Sequence, residues 1–343
     1  MATSLESLLA VVRGSSRVLI LPHTNPDPDA IASSVALGYL LGQQLGVATQ
    51  IAYKGIIGRA ENRALVRYLQ YPLKKLSKTA LRGKPLIALV DTQPGVGNNA
   101  LDQTTPVHLV FDHHPKFADA QPVLFSDVRP QLGATATILT EYLQATGIPP
   151  PPNIATALFY GIKTDTLGLL RGATEADIDA YLYLQPYVDT AALIEIEHAQ
   201  VPAAYFRQLD TTIQSAQVYQ DVVIAYIGVL AYPDLVGEMA DTLLRLEGMR
   251  WSICMGQHQD TLLISVRTRD RQGDAGFLVR AVVRSDGTAG GHGMLAGGQI
   301  VLGHCDAAQL AQNLTRRMLK YLAISPHMSG VPIVLDPAVL QIH

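Results

Sequence analysis

The chain has 343 residues, 48% of them hydrophobic and 16% charged, so it is long and apolar enough for two packed domains, and extended disorder is excluded. Its net charge of −3 excludes a global basic field, so a polyanionic substrate has to be met by local arginines or by bound metal. The two cysteines, Cys254 and Cys305, lack metal-type spacing and read as buried thiols of a reducing compartment; with no signal-peptide pattern and no apolar run near ~18 residues, the expectation is a cytoplasmic protein without a membrane partner.

Thr3 and Glu6 suggest a capping box for a first helix whose apolar face is Leu5, Leu8, Leu9 and Val12 and which Gly14 ends. Val18-Leu19-Ile20-Leu21 predicts a buried strand, and residues 30–45 predict a helix stopped by Gly46. Between them runs His23-Thr24-Asn25-Pro26-Asp27-Pro28-Asp29. It places an imidazole and two carboxylates at the carboxyl end of a strand, where α/β sheets bind ligands. A plainer role stays open here, since Asp29 suits a helix N-cap. Residues 47–53 predict a second strand, and 59–70 a helix with Leu65 and Leu69 inward.

Leu86-Ile87-Ala88-Leu89-Val90 is a short continuous apolar run, the mark of a parallel strand buried on both faces, and it ends in Asp91. Residues 107–111 form another such run and end in Asp112-His113-His114. Three strands thus deliver metal-type ligands at the same end. Residues 134–146 predict a helix, and the four prolines at 149–152 a stiff connector. Ile154, Leu158 and Ile162 mark a buried helix that runs into a loop, 161–166, carrying Asp165. Thr174 with Asp177 caps a helix through Leu184. A linker at 201–212 is expected to divide a first domain, 1–200, from a second, 213–343. There the pattern restarts: a strand at 222–227, a helix at 234–246, paired strands at 251–255 and 262–266, and a short helix at 276–283. Gly290-Gly291-His292 opens a glycine-rich stretch that reads, by itself, as a surface loop. Asp306 and Gln309 cap a last helix with Leu310, Leu314 and Met318 inward. The fold class is α/β: a mainly parallel sheet with helices on both faces, followed by a smaller mixed α/β domain.

The candidate metal ligands are His23, Asp27, Asp29, Asp91, His113 and Asp165. Four clustered carboxylates without a cation would repel and raise each other's pKa, and two divalent ions would neutralise them. Nitrogen and oxygen donors without thiolate suit Mn²⁺, with Mg²⁺, Co²⁺ and Fe²⁺ also open. A carboxylate bridging two such ions holds them ~3.5–4 Å apart, and a hydroxide between them can attack phosphorus in line. His114 need not be a ligand; it could hydrogen-bond a phosphoryl oxygen or protonate a leaving group. Asn25 is read as a turn former, His108 as a satisfied core or edge histidine, and Arg59, Asn62, Arg63 and Arg171 as solvated helix starts.

The order of these pieces is specific. His23-x-Asn25-Pro26-Asp27-x-Asp29-Ala30, then Asp91, then Asp112-His113-His114, then Thr164-Asp165-Thr166 resembles the DHH phosphoesterase superfamily. Gly290-Gly291-His292, preceded by Ser265-Val266-Arg267-Thr268, resembles the associated DHHA1 domain. Together these cover most of the chain and are similar to the short two-domain oligoribonuclease (nanoRNase) and pAp-phosphatase group. The resemblance implies that His23 and Asp27 hold one Mn²⁺, that Asp29, His113 and Asp165 hold the other, and that Asp91 bridges them. It implies catalytic roles for Asp91, for His114 facing the scissile phosphate and for Asp112 orienting the histidines. It also implies that Arg267 meets a terminal phosphate and that Gly290, Gly291 and His292 contact the substrate. Pro28 and Leu295 depart from the family pattern, which usually has a small residue and an alanine at these places.

The reaction so implied is hydrolysis of short oligoribonucleotides, linear pApA-like dinucleotides or pAp by metal-activated water, with the second domain closing the cleft and gripping one end. Two alternatives stand beside it. An inorganic pyrophosphatase or polyphosphatase shares the metal motifs, though the Gly-Gly-His element counts against the former. A non-catalytic nucleotide sensor would not need a full ligand set. No long duplex DNA partner is expected: a processive exonuclease wants aromatic stacking platforms, and aromatics are only 6%. A homodimer remains open.

Overall fold

An apolar run without polar alternation has to be buried on both faces, and Arg17–Pro22 is such a run: all its residues after Arg17 are buried. It is the first strand of a computed structural model that describes residues 2–102, 104–118, 121–270 and 272–334. Contacts divide the chain into two compact units, Met1–Gln200 and Val201–His343. No helix among the described residues is long and apolar enough to cross a membrane.

In chain order the first unit comprises α1 (Ala2–Val12), β1 (Arg17–Pro22), α2 (Pro28–Leu45), β2 (Ala48–Tyr53), α3 (Ala60–Leu69), β3 (Leu73–Lys75), β4 (Leu86–Val90), β5 (Leu109–Asp112), β6 (Phe125–Val128), α4 (Thr135–Ala145), α5 (Pro152–Asp165), α6 (Glu175–Leu184) and α7 (Thr190–Glu197). The strands pair in parallel in the order β3-β2-β1-β4-β5-β6. The expected α/β class is therefore observed. The sheet grows in one direction from β1 to β3 and in the other from β4 to β6. Such a reversal opens a crevice at the carboxyl ends of the two central strands. Pro22 pairs with Val90, so the residues that follow β1 and β4 emerge there side by side.

One face of this sheet buries α1, α2, α3, α4 and α5 through a cluster that includes Leu8, Ile31, Leu37, Leu41, Leu65, Ile138, Leu139, Leu158 and Ile162. Each fully buried aliphatic side chain there contributes about 1.5–3 kcal/mol. Helices were expected on both faces. The cluster on the other face, built on Leu19, Leu21, Ile87, Leu89 and Val110, contains no helical residue among those described; Leu76, Leu81, Leu101, Val107 and Val123 of the connectors cover it. The connectors at 91–108 and 113–124, which join β4 to β5 and β5 to β6, contain no helix among their described residues, which leaves that face to loops.

Thr3 does not cap α1. The helix already contains it, and the Ser7 hydroxyl donates to its carbonyl. Gly46 does end α2, in the left-handed conformation with φ of 64°. The Thr174–Asp177 capping box is present at the start of α6.

The second unit comprises α8 (Ala203–Ser215), β7 (Gln217–Tyr219), β8 (Val222–Val229), α9 (Leu235–Leu243), β9 (Trp251–His258), β10 (Thr261–Thr268), α10 (Ala275–Val283), β11 (Thr288–His292), β12 (Leu295–Val301), α11 (Ala307–Tyr321) and β13 (Val331–Pro332). Residues 201–212, expected as a linker, are mostly helical: Tyr205 and Leu209 of α8 pack against the cluster built on Val223, Ala225 and Ile227. The sheet order is β11-β12-β10-β9-β8-β7-β13, antiparallel except for β8 beside β9. α10 and α11 pack on one face with Ile253, Ile264 and Val266, and α9 on the other with Cys254. Cys305, expected to be buried, is exposed.

Candidate metal centre

The turn after β1 is held by its own side chains. Asn25 has φ of 57°; its Oδ1 accepts the Ile56 amide at 2.7 Å and its own amide donates to the Lys54 carbonyl. Asp27, rather than Asp29, is the N-cap of α2. Its Oδ1 accepts the Ala30 amide at 3.0 Å, and Pro28 occupies the first helical position, where no amide is needed. Asp29 is thereby freed from capping its own helix and is fully buried. Its two oxygens accept the Thr135 and Ala136 amides at 2.7 Å each, the first turn of α4, where an anion is favoured. Gly161 of α5 backs it: a Cβ there would lie 3.1 Å from the Asp29 Cα.

Asp91 leaves β4 in the left-handed region, with φ of 59°, and is almost fully buried. The Thr135 hydroxyl donates to its Oδ1 at 2.8 Å. Thr135 therefore fixes both Asp29 and Asp91. Sequence reasoning missed it, because a threonine at a helix start carries no motif signal. Asp165 is the last residue of α5, not part of a loop, and the Arg171 guanidinium donates to its carbonyl.

Two histidines present the same edge. His23 Nδ1 lies 3.0 Å from the Thr24 carbonyl, which leaves Nε2 facing Asp27 Oδ1 at 3.6 Å and Asp91 Oδ2 at 3.5 Å. His113 Nδ1 lies 3.1 Å from the Leu132 carbonyl, and its Nε2 faces Asp165 Oδ2 at 3.3 Å and Asp91 Oδ1 at 3.6 Å. His113 Nε2 is buried with no hydrogen-bond partner among the described residues. A buried ring nitrogen without a hydrogen-bond partner, facing carboxylates, is suited to ligate a cation. The donors gather as His23–Asp27–Asp91 and Asp29–His113–Asp165, within 4.8 Å in each group. Imidazole plus carboxylate without thiolate suits Mn²⁺ or a similar divalent ion. Asp91 also reaches the second group, through His113.

In a third grouping, Asp91–His113–His114, His114 Nδ1 lies 3.7 Å from Asp91 Oδ1, but Asp112 Oδ1 already holds it at 2.8 Å. Asp112 was expected to orient both histidines. It orients His114 alone, because the Leu132 carbonyl serves His113. Gln93, another residue without a sequence signal, donates to Asp112 Oδ2 at 2.7 Å. Among the residues given plainer readings, His108 is satisfied, its Nδ1 accepting the Ile87 amide.

The electrostatics of the cation-free cluster are costly. Burial, with Asp91 and Asp165 nearby, pushes the Asp29 carboxyl well above the usual range. Burial, with Asp27 and Asp91, lifts Asp165 to about 6, though His113 opposes it. Burial disfavours charge on His23, yet Asp27 and Asp91 raise it to about 10. Burial likewise opposes charge on His113, yet Asp165, Asp91 and Asp29 raise it to about 11.

A measurable pH dependence follows. Both histidines must lose a proton to ligate a metal, so binding releases protons and tightens as pH rises. From pH 6 to 8 the Mn²⁺ affinity is expected to increase up to about tenfold per pH unit for each proton displaced. Mn²⁺ titrations in buffers of different ionisation enthalpy count those protons; an affinity flat over this range contradicts the assignment. In the metal-free protein the raised histidines stabilise the fold fully below their ordinary 6.5. That contribution is lost as pH climbs towards about 10 and 11.

In the second unit, Arg267 of β10 is not a free arm. Its Nε donates to Asp241 and one terminal nitrogen to the Ser265 hydroxyl at 2.7 Å. Gly290, Gly291 and His292 form strand β11, not a loop, at the edge of the sheet. The register sets His292 opposite Leu295, and Leu295 opposite Arg267, in one row across three strands. Gly291 has φ of 121° and leaves no room for a Cβ against β12.

Residues 17–162 match the model of the DHH family, N-terminal domain. That span lies within the first unit, which is therefore similar to a DHH domain. Over 288 residues the chain is 36% identical to the uncharacterized protein MJ1633 of Methanocaldococcus jannaschii, which takes in 83% of this chain and 58% of that protein. Over 164 residues it is 34% identical to a probable manganese-dependent inorganic pyrophosphatase of Lactobacillus delbrueckii subsp. bulgaricus, 47% of this chain and 51% of that one. The chain thus spans little more than half the length of these relatives. Its fold is like that in the crystal structure of an exopolyphosphatase-related protein from Bacteroides fragilis, with a TM-score of 0.66, 14% identity, and coverage of 94% of this chain and 97% of that one. The matched span of the DHH domain contains His23, Asp27, Asp29, Asp91 and the Asp112-His113-His114 tripeptide.

Proposed function

We propose that this protein is a metal-dependent phosphoesterase that cleaves short nucleotides: short oligoribonucleotides, linear dinucleotides of the pApA kind, or pAp. The observation that carries the reading is the paired edge of His23 and His113, each tied through Nδ1 to a backbone carbonyl with Nε2 turned into a buried carboxylate cluster. His23 and Asp27 would hold one divalent ion, Asp29, His113 and Asp165 the other, and Asp91 both. When bound, two such ions supply an activated water and offset charge on the phosphate. The protein's own part is to keep both ligand histidines in one tautomer, to screen the carboxylates from water and to hold His114, through Nδ1–H to Asp112, where its Nε2, once the ring is the imidazolium, can give a proton to the leaving oxygen. Arg267 and the β11 strand at Gly290, Gly291 and His292 are the proposed substrate grip; a terminal phosphate would have to draw Arg267 from Asp241. The proposed setting is the cytoplasm.

A second reading, an inorganic pyrophosphatase or polyphosphatase, is favoured by the identity to the Lactobacillus pyrophosphatase over the DHH region. One panel separates the two. With Mn²⁺, pApA, a short RNA, pAp, pyrophosphate and polyphosphate are compared by kcat/KM. The nucleotide reading expects pApA, short RNA or pAp to exceed pyrophosphate by at least about tenfold, a difference of about 1.4 kcal/mol at the transition state. Preference for pyrophosphate or polyphosphate would replace it with the second.

A further inference from the structure

Gln93 lies two residues beyond Asp91 and is almost fully buried. Its Nε2 donates to Asp112 Oδ2 at 2.7 Å and to the Pro115 carbonyl at 3.1 Å, and its Oε1 accepts the Phe117 amide at 2.9 Å. These partners fix which way the carboxamide faces. Turned over, its oxygen would meet a carboxylate and a carbonyl, and its NH₂ would meet an N–H. Asp112 is completed from the other side: Oδ1 takes the His114 amide at 3.2 Å and lies 2.8 Å from His114 Nδ1. Along Phe117 N–H, Gln93, Asp112 and His114 every proton then has a set place. The carboxylate can only accept, so the imidazole carries its hydrogen on Nδ1 and turns Nε2 outward.

We propose that Gln93 is a positioning residue that sets the tautomer and rotation of His114 through Asp112. The catalytic consequence rests on the phosphoesterase reading above; the tautomer is a property of the protein alone. Closure of the 93–99 turn is separable, because Asn99 makes it through the Gln93 backbone carbonyl at 2.9 Å; the side chain's tie to Pro115 and Phe117 is told apart by the histidine-ring spectra. Neutrality at position 93 is part of the design. A carboxylate of the same shape would face Asp112 Oδ2 and the Pro115 carbonyl, and would expel the arrangement.

Gln93→Met keeps the length and removes the bonds, while Gln93→Glu keeps the shape and adds repulsion. Each is compared with the parent in the full chain loaded with Mn²⁺ for kinetics and with Mg²⁺ for ¹H–¹⁵N spectra of the histidine rings. The parent is expected to show His114 with hydrogen on Nδ1. Gln93→Met is expected to show a tautomer mixture and to lose about 10–100-fold in kcat, with KM and Mn²⁺ affinity within about threefold. Gln93→Glu is expected to lose more. A parent spectrum with no hydrogen on His114 Nδ1 overturns the proposal without any variant. So does an unchanged His114 signature with kcat within twofold, which makes Gln93 a loop tie. A fall in Mn²⁺ affinity matching that in kcat overturns it too, by making Gln93 a support of the metal ligands. If the parent cleaves no phosphate ester, the functional reading fails and the spectra still decide the tautomer.

Discussion

Asp91→Ala is expected to lower Mn²⁺-dependent kcat/KM by about 1000-fold or more, on the order of 4 kcal/mol of transition-state stabilisation. The reason is position. Asp91 is the carboxylate that faces both His23, at 3.5 Å, and His113, at 3.6 Å, so its loss opens both donor groups at once. Removing Asp27 or Asp165 alone strikes one group, and a smaller loss is expected from either. Mn²⁺ affinity should fall with activity in Asp91→Ala, whereas Gln93→Met should leave it in place. Titration of Mn²⁺ by paramagnetic relaxation, alongside kinetics on pApA or pAp, reads both. Activity within tenfold of the parent would remove Asp91 from the shared position.

The largest effect on stability is expected at a residue that touches no candidate ligand. Asp177 is fully buried. Its carboxylate accepts the amides of Gly133 at 2.9 Å and Thr174 at 2.8 Å, and the hydroxyls of Thr174 at 2.7 Å and Thr137 at 2.5 Å. Asp177→Ala strands these donors in a dry place, and the unfolding free energy should fall by about 3–5 kcal/mol. The damage should spread. Gly133 sits between Leu132, whose carbonyl faces His113, and the α4 start, where Thr135 and Ala136 bind Asp29. Urea denaturation of the metal-free variant gives the first number, and Mn²⁺ titration under native conditions gives the second. An unchanged denaturation midpoint would show that this carboxylate is dispensable.

How much of this was legible beforehand can be argued from particular elements. β1, β4 and β5 announce themselves as apolar runs, because burial on both faces leaves no room for polar alternation. The end of α2 was legible through Gly46, whose capping chemistry is local, whereas its N-cap proved to be Asp27 and not the expected Asp29. The six candidate ligands could be named because they follow such strands or sit in short motifs. The groups that hold them could not. Thr135, Gln93 and Asp177 act on residues tens of positions away, through bonds that no periodicity encodes. The helix α8 escaped for another reason: its described residues bury little, Thr212 alone being fully buried, so its pattern looked like a connector. The strand β11 looked like a loop because three of its five residues are glycine or alanine, which leave no side-chain alternation to read.

The left-handed backbone at Asp91 limits which residues suit the position. Glycine would relax there, and asparagine tolerates the region readily, whereas most other side chains resist it. Aspartate is among the side chains that tolerate this region, so the position can carry a ligand at modest backbone cost. A copy of this architecture with glycine or asparagine at that position would keep the turn at less backbone cost and lose the carboxylate that faces both histidines.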